Sequence, residues 1–290
     1  MEKSYFQHKS IHFVTGKGGV GKSTVAGALA MRLAEEKKAL MVEIGDDAYL
    51  GESFSVNPNM MEQKVSENLF ISKWSGLGCL SEYVEHLIKL KGVTKVFFDN
   101  PVMAKLLEIA PGLLELALLG KLTSKHRQIG PAIGVDEIVL DSFSTGHSMA
   151  MLRAPFEMKS AIKIGQMHQQ SKTICETLES EDLTQFYIVT IPERVPLEET
   201  LELAEDMNAE FGISPKVIIN KYLDYNMSEL PELSNGFERF LYNKIDEQKF
   251  VEKEIQANKL EILKSPLILN TNSSIGVMSE IGKYWEIKNN

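Results

Sequence analysis

The chain has 290 residues, 43% apolar and 24% charged, enough for one large α/β domain with an insertion or for two smaller domains. Its formal net charge is −9, from 31 Lys and Arg against 40 Asp and Glu. That balance argues against nucleic acid as a partner, because such sites need clustered positive charge.

The first ten residues hold no apolar run of the secretory kind. No stretch reaches the roughly 20 uninterrupted apolar residues that cross a bilayer. Val102 to Leu122 comes nearest, and Lys105, Glu108, Pro111 and Glu115 interrupt it. Cys79 and Cys175 are the only cysteines, far apart and without metal spacing. The composition predicts a cytoplasmic chain with reduced thiols and no stable membrane anchor.

In chain order, short β-branched runs alternate with longer helical patterns. Strands are predicted at Ile11–Thr15, Ala39–Ile44, Leu69–Lys73, Glu137–Asp141, Phe186–Ile191, Lys216–Asn220 and Leu267–Asn270. Helices are predicted at Ser23–Lys37, Leu197–Phe211, Phe237–Asn258 and Ser274–Trp285. This alternation implies an α/β fold, a mostly parallel sheet with helices on both faces. Leu80 to Gln128 and Pro155 to Leu178 break it with consecutive helical patterns. They read as a helical subdomain, at about 80–130 and 150–178, inserted into a single domain spanning 1–290. Its many Leu and Met residues, such as Leu116, Leu119, Met149 and Met151, have the spacing of a helical core. In the last predicted helix, Ile275, Met278, Ile281 and Trp285 share a face. Glu280 and Glu286 balance Lys283 and Lys288, which suits core packing better than a membrane surface.

The segment Gly16-Lys17-Gly18-Gly19-Val20-Gly21-Lys22-Ser23-Thr24 fits G-x-x-x-x-G-K-[ST], between a predicted strand and a predicted helix. Glycines let successive N–H groups of Gly18, Gly19, Val20 and Gly21 turn toward phosphates, and the helix N-terminus adds partial positive charge. The pattern assigns Lys22 to the β- and γ-phosphates, Ser23 to Mg²⁺ and Thr24 to the α-phosphate of ATP. Asp141 ends a strand at the carboxyl edge, where α/β ligands bind, and is a second candidate for Mg²⁺.

The loop form GKGGVGKS resembles the deviant Walker A of dimeric ATPases. The resemblance implies that Lys17 reaches a partner's phosphates and acts catalytically there, as an arginine finger does. Ser142-Phe143-Ser144-Thr145-Gly146-His147-Ser148, after Asp141, resembles the second switch of the ArsA family, the arsenite-pump and guided-entry ATPases. Ala110-Pro111-Gly112, Ile191-Pro192-Glu193 and Val217-Ile218-Ile219-Asn220 are similar to that family's bacterial anion-transporting branch. The resemblance places Asn220 at the adenine. Position 223 is Leu and the acid comes at Asp224, so the guanine-reading N-K-x-D is incomplete and ATP is favoured.

Three departures bear on what carries over. Gly45 stands where the family's first switch carries an acid, with Asp46 one residue later as the candidate replacement. There is no CxxC for a zinc clasp, and two cysteines cannot supply three thiolates for arsenite. Met41-Val42-Glu43-Ile44-Gly45 resembles the acid-lacking member of paired, unequal relatives. The resemblance thus implies a homodimer, or a heterodimer with a paralogous ATPase. A hydrophobic protein client of the helical subdomain is the further partner that the guided-entry branch suggests.

Overall fold

The computed structural model describes residues 9–45, 49–88, 105, 112–131, 133–224 and 236–287. Eight strands form one sheet in the order β3-β4-β2-β5-β1-β6-β7-β8. They are β1 (Ile11–Gly16), β2 (Ala39–Ile44), β3 (Gln63–Lys64), β4 (Leu69–Trp74), β5 (Glu137–Asp141), β6 (Thr184–Thr190), β7 (Lys216–Tyr222) and β8 (Ile262–Pro266). Only the two-residue edge strand β3 runs antiparallel. The described helices are α1 (Lys22–Leu33), α2 (Tyr49–Ser53), α3 (Gly76–Ile88), α4 (Leu113–Leu122), α5 (Ser124–Arg127), α6 (Thr145–Ala161), α7 (Gln166–Glu179), α8 (Arg194–Phe211), α9 (Gly236–Ala257) and α10 (Ser274–Ile287).

Successive side chains of a strand point to opposite faces, so the near-continuous apolar strands build two cores. On one face Ile11, Phe13, Leu40, Val42, Ile138 and Leu140 pack with residues of α3, α4, α6, α7 and α8. On the other Val14, Met41, Ile71, Val139 and Val189 pack with α1, Leu50 of α2 and α10. Met278, Ile281 and Trp285 are buried, and the last helix is part of the second core. Its close seat on α1 needs Gly27, where a Cβ would fall 2.6 Å from the Met278 sulfur. Leu116, Leu119, Met149 and Met151 are buried in the first core, while Leu106 and Leu107 lie outside the described residues.

The expected strand at Leu267–Asn270 is a correction: the eighth strand is Ile262–Pro266, five residues earlier. Leu267-Ile268-Leu269 is the more apolar run, yet Leu269 is 83% exposed. The outermost strand alternates buried Leu263 and Ser265 with Lys264, whose ammonium reaches Glu252 at 3.0 Å. Pro266 lacks an N–H and falls at the strand's end, where no ladder bond is lost.

Candidate functional site

The site grows from the carboxyl ends of β1, β5 and β2, which are neighbours in the sheet. Gly16 closes β1 with φ +143°, and a Cβ there would sit 2.2 Å from the Val189 carbonyl oxygen. The loop then passes Gly19 (φ +83°) and Gly21 (φ +91°) before α1 begins at Lys22. Gly21 is the N-cap, no side chain caps it, and the first turn of α1 holds no acid. The free N–H groups and dipole of α1 are therefore open to an anion. Lys22 Nζ donates to the Lys17 carbonyl at 3.0 Å, folded back across the loop, and burial lowers its pKa. Thr24 Oγ1 lies 3.3 Å from the Tyr49 hydroxyl, a neighbour the sequence motif does not indicate.

Asp141 is paired in register with Val14 on one side and Glu43 on the other. Its Oδ1 is buried without a hydrogen-bond partner among the described residues. Burial pushes its pKa up to about 6, although the Ser23 hydroxyl and the Lys22 ammonium favour the ionised form; Glu43 opposes them. A buried carboxylate oxygen without a partner, beside the Ser23 hydroxyl, suits a hard cation with oxygen ligands. Mg²⁺ retains several waters, so two protein oxygens suffice. No group of three or more His, Cys, Asp or Glu that could hold a metal ion occurs among the described residues.

The segment after Asp141 is anchored to β1. Ser142 N–H donates to the Val14 carbonyl at 3.0 Å. The Thr15 and Ser148 hydroxyls, 2.8 Å apart, both donate toward the Phe143 carbonyl, at 3.1 and 2.7 Å. Phe143 meets His147 edge to face at 5.7 Å. Phe143 also lies close to Gly45 at the end of β2, where a Cβ would fall 3.5 Å from its ring.

Glu43 behaves differently from its neighbour Asp141. Its two oxygens accept from the N–H groups of Leu50 at 2.7 Å and Gly51 at 3.0 Å. It thereby fastens the start of α2 to the end of β2. Asp46, the candidate replacement for the missing acid, lies outside the described residues.

Lys17 is held within its own chain, its Nζ 2.5 Å from Glu199 Oε1 on α8, both side chains about one-third exposed. Asn220 is 5% exposed; its Nδ2 donates to the Val20 carbonyl at 2.8 Å, and its Oδ1 accepts from Ser265 at 2.9 Å. Neither Glu199 nor Ser265 is marked by any motif, because each lies in a different element from its partner. Cys79 and Cys175 are buried, and desolvation pushes both thiols up to about 12, so neither is a thiolate near neutral pH. His12, fully buried, sits 3.0 Å from Glu137 as an internal pair.

A phosphate-loop motif between β1 and α1, with a carboxylate on the adjacent strand end, defines the P-loop nucleoside triphosphatase fold. The family model described as anion-transporting ATPase matches residues 9–176 and 160–272. The chain belongs to that family, the ArsA ATPases. It is 31% identical over 221 residues to ATPase BagA of Mycobacterium tuberculosis, covering 73% of this chain and 64% of that relative. To the putative arsenical pump-driving ATPase 2 of Aquifex aeolicus it is 27% identical over 308 residues, covering 94% of this chain and 98% of the other. To ATPase GET3 of Podospora anserina it is 22% identical, covering 89% and 84%. No described helix is long and apolar enough to cross a membrane.

Proposed function

We propose that this chain is a Mg²⁺-dependent ATPase whose nucleotide state switches a dimer and its helical subdomain. The observation that carries the reading is Asp141, whose unpartnered buried oxygen stands beside Ser23 and Lys22 at the mouth of the phosphate loop. In this reading the N–H groups of Gly18, Gly19, Val20 and Gly21 bind the phosphates of ATP. Lys22 leaves the Lys17 carbonyl for the β- and γ-phosphates, Thr24 steadies the α-phosphate, and Asn220 lies at the base. Ser23 and Asp141 hold Mg²⁺, which when bound neutralises charge on the phosphate oxygens. Lys17 leaves Glu199 to reach the γ-phosphate across a dimer interface, where a cation stabilises the transferring group. Asp46 orients the attacking water in place of the acid missing at Gly45.

The single domain, with its helices at about 80–130 and 150–178, transmits that change in the cytoplasm. Leu77, Leu87, Ile164 and Met167 are exposed on or beside these helices; the hydrophobic protein client itself rests on the resemblance to the guided-entry branch. A second reading, a nucleotide-binding member of an unequal ATPase pair with little hydrolysis of its own, is favoured by Gly45. Phosphate release from MgATP and solution mass with nucleotide, measured on the purified chain, test both. Steady turnover by a homodimer, lost about 100-fold or more in Lys17→Ala with ATP still bound, supports the first. Retention of ATP without turnover supports the second, and failure to bind MgATP sinks both.

A further inference from the structure

The end of β7 carries a device that the phosphate-loop motif does not describe. Ile219 pairs with Lys264 and Tyr222 pairs with Pro266, so Asn220 and Lys221 together stand opposite Ser265 alone. That is a β-bulge, two residues against one, and Lys221 completes it with φ +56°. A bulge bends its strand and re-aims a side chain, and such irregularities gather beside active sites. Here the bulged residue is Asn220, with its amide between Val20 of the phosphate loop and Ser265 of β8.

The contacts on the two sides of the amide are chemically distinct. Val20 offers a carbonyl, so the group facing it must be Nδ2. The oxygen then faces Ser265, a fully buried side chain whose hydroxyl donates to it at 2.9 Å. Gly21 makes the fit close, since a Cβ there would fall 2.4 Å from Nδ2. The amide therefore braces the loop at Val20, two residues before α1, where the backbone must turn its N–H groups outward. Without the serine hydroxyl, Asn220 Oδ1 would be a buried acceptor lacking this donor, and the amide would lose its restraint on the β8 side.

We infer that Ser265 is a positioning residue for nucleotide binding, which acts through Asn220 to hold the phosphate loop in its binding shape. The inference rests on the proposal that the loop binds ATP, and it adds β8 to the elements that shape the site. Because Ser265 acts only through the amide, its removal matters only while Asn220 is present.

The test is the affinity of the intact chain for the fluorescent analogue mant-ATP with Mg²⁺, in wild type, Ser265→Ala, Asn220→Ala and the double variant. Ser265→Thr, which keeps the hydroxyl, and thermal melting without nucleotide accompany them. The expected results are about tenfold weaker binding for Ser265→Ala, at least as much for Asn220→Ala, and no further loss in the double variant. Ser265→Thr returns affinity to within about threefold of wild type, independently of any shift in melting. Binding by Ser265→Ala within about twofold of wild type overturns the inference, as do losses that multiply in the double variant. Wild type that fails to bind mant-ATP overturns the nucleotide reading itself, a result distinct from the other two.

Discussion

Two carboxylates, Glu43 and Asp141, sit side by side at the same level of adjacent strands, and they have opposite roles. Glu43 is 4% exposed, and its two oxygens bond the N–H groups that start α2. Asp141 has an oxygen with no partner among the described residues and stands beside Ser23 and Lys22. Burial raises the pKa of each, and backbone N–H groups oppose the rise only at Glu43. One carboxylate is thus a structural cap, and the other is the one the proposed function gives to the metal. Residue type and strand position do not separate them; hydrogen-bond satisfaction does.

The largest expected difference between the two is in turnover. Asp141→Ala is expected to lower MgATP hydrolysis by about 100-fold or more, as loss of a group that holds the metal on the phosphates does. Glu43→Ala, assayed while folded, is expected to stay within about fivefold of wild type, because removing a helix cap acts on stability. Phosphate release by the two purified variants checks this, and equal losses would erase the contrast.

Stability is expected to move the other way. Glu43→Ala leaves the Leu50 and Gly51 N–H groups without their acceptor and should cost about 1–3 kcal/mol, read from urea midpoints. Asp141→Asn should stabilise the chain without nucleotide by about 1–2 kcal/mol near neutral pH. The sign follows from the raised pKa: the folded chain holds this proton more tightly than the unfolded chain does. The stability it contributes is full below the ordinary value of 3.8 and is lost as pH rises through about 6. The advantage of Asp141→Asn should therefore shrink as pH falls from neutral to about 5. An unchanged gap across that range would mean that Asp141 is not destabilised by its charge.

The smallest effect is expected at Lys17 and Glu199. Both are about one-third exposed, and an ion pair so placed contributes little. Glu199→Gln should change the unfolding free energy read from urea midpoints by less than about 0.5 kcal/mol. A larger loss would make the pair a structural brace and weaken the proposal that Lys17 leaves it.

Much of this was legible in the sequence, because the chemistry was local. The loop's glycines, its lysine and its serine are contiguous, and β2 and β5 run over the residues their β-branched patterns imply. The helices of the first core are equally plain in their Leu and Met spacing. What escaped depends on pairings between distant elements. Glu199 meets Lys17 across 182 positions, and Ser265 meets Asn220 across 45. The strand that carries Ser265 was hidden too, because β8 is less apolar than the Leu267-Ile268-Leu269 run that follows it, whose two leucines are exposed. Glu43 reads as an ordinary polar strand residue until the start of α2 folds back onto it.

The most direct test of the central claim is calorimetric titration of ATP into wild type and Asp141→Asn, with and without Mg²⁺. Mg²⁺ is expected to strengthen ATP binding by about tenfold or more in wild type, and to lose nearly all of that effect in Asp141→Asn. An equal enhancement in both proteins would contradict the assignment of Asp141 as the carboxylate that holds the metal.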